Sequence, residues 1–333
     1  MQKVLLFIVL PVAVLVIIFL SGPRPQKPVF SNAMPEVPAT PEALEGYIRA
    51  NEGRHKLKPD NEARIVWSDS AKKKTEYAVV YLHGFSASQK EGDPVHLRFA
   101  REFGCNLFLA RMADHGVDTT EQLLYYTADR AWASAKEALA IGKQLGNKVI
   151  LVSTSTGGTL ALMLAARFPN DVYALINLSP NIAVNNPAAF LLNGPWGLQI
   201  ARIVMKGKYN VTTTSDARLN YWNRRYRLES LVQLEELLED EMTPETFSKV
   251  TQPTLTLCYY KNEQEQDPEV KVSAMYAMNE ALGTPPSMKE VEAIPNAGAH
   301  VLGSSMVSKD VEGVYAAMEK FALTKLNLKK AQE

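Results

Sequence analysis

A serine hydroxyl becomes a nucleophile only when a base removes its proton and a third group holds that base in one tautomer. In this chain the serine best placed for such chemistry lies in Val149-Ile150-Leu151-Val152-Ser153-Thr154-Ser155-Thr156-Gly157-Gly158. The stretch opens as an apolar, β-branched run, which reads as a buried strand. It passes without a loop into Thr159-Leu160-Ala161-Leu162-Met163-Leu164, which reads as a helix. A strand that turns directly into a helix strains its apex residue and needs small residues two places to either side. Ser155 meets that demand, with Ser153 before it and Gly157 after it. Ser153 as apex would put Leu151 where a small residue is needed, and Thr156 would put a β-branched residue at the strained point. The competing reading is a strand end whose hydroxyls only cap the next helix.

The chain has five histidines. His300 follows Asn296-Ala297-Gly298-Ala299, a loop of small residues able to lie close against a sheet edge. His83 and His115 each precede a glycine and read as residues that orient backbone. His55 and His96 stand in polar or helical context and read as surface or packing residues.

These groups need a scaffold. Tyr77-Ala78-Val79-Val80-Tyr81-Leu82 reads as a central strand, Asp93-Pro94 opens a helix to Phe103, and Cys105 to Ala110 is the next strand. A long helix is expected over 121–145, then the Ser155 strand and its helix, and a strand over 173–178. Strands and helices alternate throughout, which argues a mostly parallel sheet covered by helices on both faces. The alternation stops over 181–250, which reads as helices without strands. It resumes with strands near 253–260 and 288–294 and a closing helix over 310–326. The two cysteines, Cys105 and Cys258, sit in separate strands and read as buried free thiols.

The 333 residues are 46% apolar, enough for a large core, and carry 36 basic and 36 acidic residues, a balance that gives nucleic acid no electrostatic footing. Residues 4–20 form an uncharged apolar run, roughly 25 Å long as a helix. The run reads as a signal anchor (1–22), with a cleaved signal peptide or a core helix as alternatives. Lys3 precedes it, and Arg24 and Lys27 follow it, so charge barely orients it. The usual behaviour of such leaders puts the domain outside the cytoplasm, or secretes it after cleavage. Residues 23–40 are Pro-rich and read as a spacer, followed by one domain over 41–330.

Five motifs together resemble the α/β-hydrolase family: His83-Gly84-Phe85, Asp114-His115-Gly116, Ser153-x-Ser155-x-Gly157, Asp267-Pro268-x-Val270 and Asn296-Ala297-Gly298-Ala299-His300. They fall in the family order of serine, acid and histidine, and the chain looks most like its esterase, monoacylglycerol-lipase and serine-aminopeptidase-like branch. The resemblance implies the α/β-hydrolase fold with 181–250 as a helical cap. It implies Ser155 as nucleophile, His300 as general base and Asp267 as acid. Glu263 and Glu265, in the same loop, are rivals for the acid, and Asp267 could instead cap a helix beginning at Pro268. The oxyanion donors implied are the backbone N–H groups of Phe85 and Thr156. Phe190, Trp196 and Trp222 of the cap are candidate substrate contacts, or the cap's own core. Ser153 departs from the glycine common at its place, and the loop 261–266 is long and polar.

The expected activity is hydrolysis of a small-molecule or lipid ester, of short or medium acyl chain, through an acyl-enzyme. No metal or cofactor is implied. The same triad on an amide, a thioester or a carbon–carbon bond is one alternative, and a binding or scaffold protein without turnover is another.

Overall fold

The computed structural model describes residues 2–331, and side chains in the first helix from Val9 onward. Helix α1 (Gln2–Leu20) and helix α2 (Pro41–Glu52) precede strands β1 (Arg64–Val66) and β2 (Thr75–Leu82). Then come α3 (Val95–Glu102), β3 (Asn106–Leu109), α4 (Ala128–Leu145), β4 (Gly146–Thr154), α5 (Thr156–Arg167) and β5 (Ala174–Leu178). A cap follows: α6 (Gly197–Val204), β6 (Tyr209–Val211), β7 (Arg225–Arg227), α7 (Leu228–Glu241) and α8 (Pro244–Ser248). The chain closes with β8 (Thr254–Cys258), α9 (Val272–Ala281), β9 (Lys289–Ala293) and α10 (Val311–Thr324).

Seven strands form one sheet in the order β1-β3-β2-β4-β5-β8-β9. The edge strand β1 runs antiparallel to β3, and every other pair is parallel. This is the α/β-hydrolase fold, with helices on both faces. The period-two alternation of β2 divides its side chains between two cores. Ala78, Val80 and Leu82 pack with α4 and α5, whereas Val79 and Tyr81 pack with α3 and α10. A strand buried on both faces must be apolar along its length, which is why β2 and β4 read so plainly in the sequence.

Two boundaries differ from expectation, for one reason. The helix expected from 121 begins at Ala128, where the Thr127 hydroxyl accepts the Arg130 N–H. Residues just before it are drawn to the cap instead: Glu121 accepts from the Tyr209 hydroxyl at 2.5 Å and pairs with Arg227, and Gln122 O accepts the Arg227 N–H at 3.0 Å. The cap, expected to lack strands, contains the antiparallel pair β6–β7. Arg225 lies over the Tyr209 ring at 3.4 Å and steadies that pair.

Residues 23–40, expected as a free spacer, lie against the domain. Phe30 meets the Trp132 ring edge-on at 6.4 Å, and the Trp132 indole N–H donates to Ser31 O at 2.8 Å. The Lys136 ammonium donates to Ala33 O at 2.6 Å, and the Trp196 N–H donates to Pro23 O at 2.9 Å. Among the described residues no helix is long and apolar enough to cross a membrane. The anchor expected at 4–20 falls partly outside the residues whose side chains are described.

Candidate active site

Ser155 sits between β4 and α5 with φ +53° and ψ −121°, a strained conformation for a residue with a side chain. The crossing is tight: a Cβ on Gly157 would stand 2.0 Å from Leu82 O. Ser153, at the other small position, turns its hydroxyl into the sheet and donates to Asn177 Oδ1 at 2.8 Å. That bond is what a side chain in place of the usual glycine requires in a buried setting.

The loop after β9 carries His300 onto the same rim. Its Nδ1 lies 2.7 Å from Asp267 Oδ2, and Asp267 is 1% exposed. Asp267 Oδ1 accepts the N–H groups of Glu269 and Val270 at 2.9 and 3.1 Å, so both oxygens are occupied. Asp267 caps no helix, since α9 begins only at Val272. Burial works against its charge, but the His300 charge and these hydrogen bonds outweigh it and hold the carboxyl below its usual range. Burial likewise works against an imidazolium at His300. Asp267 overrides it by charge and hydrogen bond, Glu91 and Glu269 add to the pull, and the histidine is raised to about 9. Glu263 and Glu265 are engaged elsewhere, with the Tyr260 hydroxyl and with Lys261.

His83 and His115 shape the loop beside Ser155. His83 Nε2 accepts the Met112 N–H at 3.0 Å, and its Nδ1–H donates to Gly84 O at 2.8 Å. His115 Nε2 accepts the Ser86 N–H at 2.9 Å. Burial keeps both neutral, lowering His83 to about 4. Between these fixed points, the Phe85 N–H has no acceptor among the described residues, and neither does the Thr156 N–H at the start of α5. Two unpaired donors beside a strained serine, one at a helix N-terminus, suit a developing oxyanion.

Ser155, His300, Phe85 and Thr156 line one cavity of about 460 Å³, a volume typical of small-molecule sites. The cap closes it with Thr212, Thr213, Thr214, Arg218, Trp222 and Tyr226. Of the three aromatic residues expected at substrate, only Trp222 lines this cavity. Phe190 is 59% exposed and borders a separate hollow beside α7, and Trp196 packs on Gly22, with its indole N–H donating to Ile18 O at 3.1 Å. No hydrogen bond joins the Ser155 hydroxyl to His300 here, although both face the cavity.

Among the cavity-wall residues that sequence reasoning did not single out is Glu91. It is 3% exposed and accepts the Gly84 N–H at 2.5 Å. Burial raises its carboxyl to about 7, against the pull of the Gly84 N–H, the His300 charge and the Trp222 indole. Its neighbour Lys90 pairs with Asp93 instead. Lys90-Glu91-Gly92-Asp93 reads as a solvated polar turn, and its nearness to His83-Gly84-Phe85 was the available signal.

Comparison with known proteins agrees with this architecture. A search of the curated proteins finds no match. A chain of the metagenome-derived lipolytic enzymes LipS and LipT superposes with a TM-score of 0.63 at 18% identity, covering 80% of this chain and 98% of that one. Est1E from Butyrivibrio proteoclasticus, solved with ferulic acid, gives 0.53 at 18% identity, covering 80% and 95%. A soluble variant of monoglyceride lipase from Saccharomyces cerevisiae gives 0.55 at 13% identity, covering 82% and 92%. At such identities these likenesses speak to the fold. The sequence model of the Alpha/beta hydrolase family, however, matches residues 79–317, most of the chain and every motif from the Gly84 loop to His300, and the chain belongs to that family.

Proposed function

We propose that the chain is a serine hydrolase that cleaves a carboxylic ester, of a short or medium acyl chain or of monoacylglycerol type, through an acyl-enzyme. One observation carries the reading: the 2.7 Å contact of Asp267 with His300, on the rim of the cavity that also holds Ser155. The nucleophile-activating pair is complete at its acid end, and Ser155 Oγ lacks only the approach of substrate and imidazole. Such bonds often tighten only in the loaded enzyme.

In the proposed reaction His300 Nε2 takes the Ser155 proton as Oγ bonds to the carbonyl carbon. The carbonyl π pair moves onto oxygen, where the N–H groups of Phe85 and Thr156 receive it. Collapse restores the carbonyl and breaks its bond to the alcohol oxygen, which leaves with the proton from His300. Water, deprotonated by His300, then attacks the acyl-serine and releases the acid by the same steps in reverse order. Asp267 holds the Nδ1–H throughout and stabilises the imidazolium.

The lipolytic enzymes and the monoglyceride lipase among the structural neighbours support an ester as the bond. The test is labelling with a fluorophosphonate and turnover of a p-nitrophenyl ester panel, wild type against Ser155→Ala. Labelling and turnover lost in the variant support the reading; equal rates sink it. Attachment to a membrane, with the catalytic domain outside the cytoplasm, is proposed on the apolar run 4–20 alone. Recovery of the full-length protein in the soluble fraction after lysis would overturn that.

A further inference from the structure

The cavity beside Ser155 holds a carboxyl that the reaction above does not use. Glu91 lies in the short turn Gln89–Gly92, buried, with its Oε2 on the Gly84 N–H at 2.5 Å. A Cβ placed on Gly84 would stand 2.8 and 3.0 Å from the two Glu91 oxygens and 2.9 Å from Ser155 Cβ. The carboxyl and the nucleophile's side chain therefore converge on one side of Gly84, next to the Phe85 N–H.

Gly84 is the weak point of that loop. A glycine has the widest choice of φ and ψ, so the peptide planes on either side of it turn freely unless something holds them. Each plane is held by one side chain. The Gly84–Phe85 plane is fixed through its carbonyl, which accepts from His83 Nδ1 at 2.8 Å. In a trans peptide the N–H points opposite to the C=O, so this bond aims the Phe85 N–H away from His83. The His83–Gly84 plane is fixed through its N–H, and the group that fixes it is Glu91.

We propose that Glu91 is a positioning residue for the oxyanion site: by accepting the Gly84 N–H it locks the plane before Gly84, as His83 locks the plane after it, and so holds the Phe85 N–H toward the reacting carbonyl oxygen. The role calls for an acceptor, not a charge. Burial raises the carboxyl to about 7, so it is ionised at the alkaline pH where His300 is neutral, and in either protonation state an oxygen accepts the Gly84 N–H. The titratable groups facing it are Tyr81 from β2 and His300 across the cavity, with the Trp222 indole closing the third side.

The inference rests on the serine-hydrolase reading, and the wild-type enzyme separates the two. If wild type and Ser155→Ala hydrolyse esters equally, that reading fails and takes this one with it. With wild type active, Glu91→Gln keeps an acceptor of the same length, and Glu91→Met removes it at similar volume. Kinetics are normalised to the folded fraction from thermal melts. We expect Glu91→Met to lose about 100-fold in kcat, the scale of a lost oxyanion donor, with KM little changed, and Glu91→Gln to stay within about threefold. Undiminished kcat in Glu91→Met, or equal losses in both folded variants, overturns the proposal. Should Glu91→Met not fold, amide exchange in Glu91→Gln decides: a protected Gly84 N–H with kcat retained supports it, and a freely exchanging one with kcat unchanged overturns it.

Discussion

Asp267 grips His300 at 2.7 Å through Oδ2 while its Oδ1 is held by two backbone N–H groups, so the carboxylate cannot rotate without breaking three bonds. In the proposed mechanism that rigidity sets the imidazole tautomer, with the proton on Nδ1 and Nε2 left to act as base. Asp267→Asn keeps the shape and reverses the preference at Nδ1. We expect kcat for ester hydrolysis to fall on the order of 10⁴-fold, with little change in the thermal midpoint. Glu263→Gln and Glu265→Gln, whose carboxylates face Tyr260 and Lys261, should leave rates within about twofold. A large loss in either glutamate variant would move the acid away from Asp267.

The pH profile follows from the same pair. The proposed base catalysis needs neutral His300, and its acidic surroundings raise it to about 9. A raised value means the proton is held longer as pH rises, so kcat/KM should climb with pH beyond neutrality. Glu91 contributes to that rise by its negative charge. Removing the charge in Glu91→Gln therefore moves the ascending limb to lower pH. Profiles from about pH 5 to about pH 10 check both statements; limbs that coincide in the two proteins would show that the Glu91 charge is not felt at His300.

Much of this site was legible because its constraints are local. The elbow is a short-range steric demand, and Ser153, Ser155 and Gly157 satisfy it within five residues. Asp267 and His300 each follow a strand of the parallel sheet, β8 (Thr254–Cys258) and β9 (Lys289–Ala293), on loops whose Asp-Pro and Asn-Ala-Gly-Ala runs stand out in the sequence. The cap was less legible, because an aromatic side chain reads alike whether it lines a cavity or covers a neighbour. Trp222 faces Ser155, but Trp196 is claimed by the chain at 18–23 and Phe190 faces outward. Glu91 was hidden because burial of a charged residue in a polar turn depends on distant partners, here Gly84, Trp222 and His300. The contacts of Phe30, Ser31 and Ala33 with the domain were hidden for a related reason, since proline-rich composition is the same in a free tether and in a docked strap.

The tightness behind Ser155 predicts an asymmetry between two glycines. In Gly157→Ala the new methyl would stand 2.0 Å from Leu82 O and 2.6 Å from Leu82 C, main-chain atoms of the central strand that cannot step aside. The variant should be destabilised by more than about 4 kcal/mol or fail to accumulate folded. Gly46 lies inside α2 with nothing within 4 Å of an added Cβ. Gly46→Ala should gain about 0.5–1 kcal/mol from helix propensity. Denaturant melts of both settle the comparison, and a well-folded Gly157→Ala would contradict the close crossing.

The docked strap makes the last prediction. Phe30 is half-buried between the Trp132 ring edge and the Arg167 guanidinium, which stands 5.5 Å from its centroid. Truncating it removes apolar burial, an edge-on aromatic contact and a cation–π contact, so Phe30→Ala should cost about 1–3 kcal/mol. Val29, beside it, is 78% exposed, and Val29→Ala should stay within about 0.5 kcal/mol. Removing everything before Pro35 should cost more than Phe30→Ala. It also strips the Ser31 carbonyl from the Trp132 indole and the Ala33 carbonyl from the ammonium of Lys136, a residue that is 7% exposed. A buried ammonium without its acceptor is left undersolvated. Thermal melts of the two point variants and the truncated chain check this. A truncated chain as stable as the full one would mean that residues 23–34 are a tether after all.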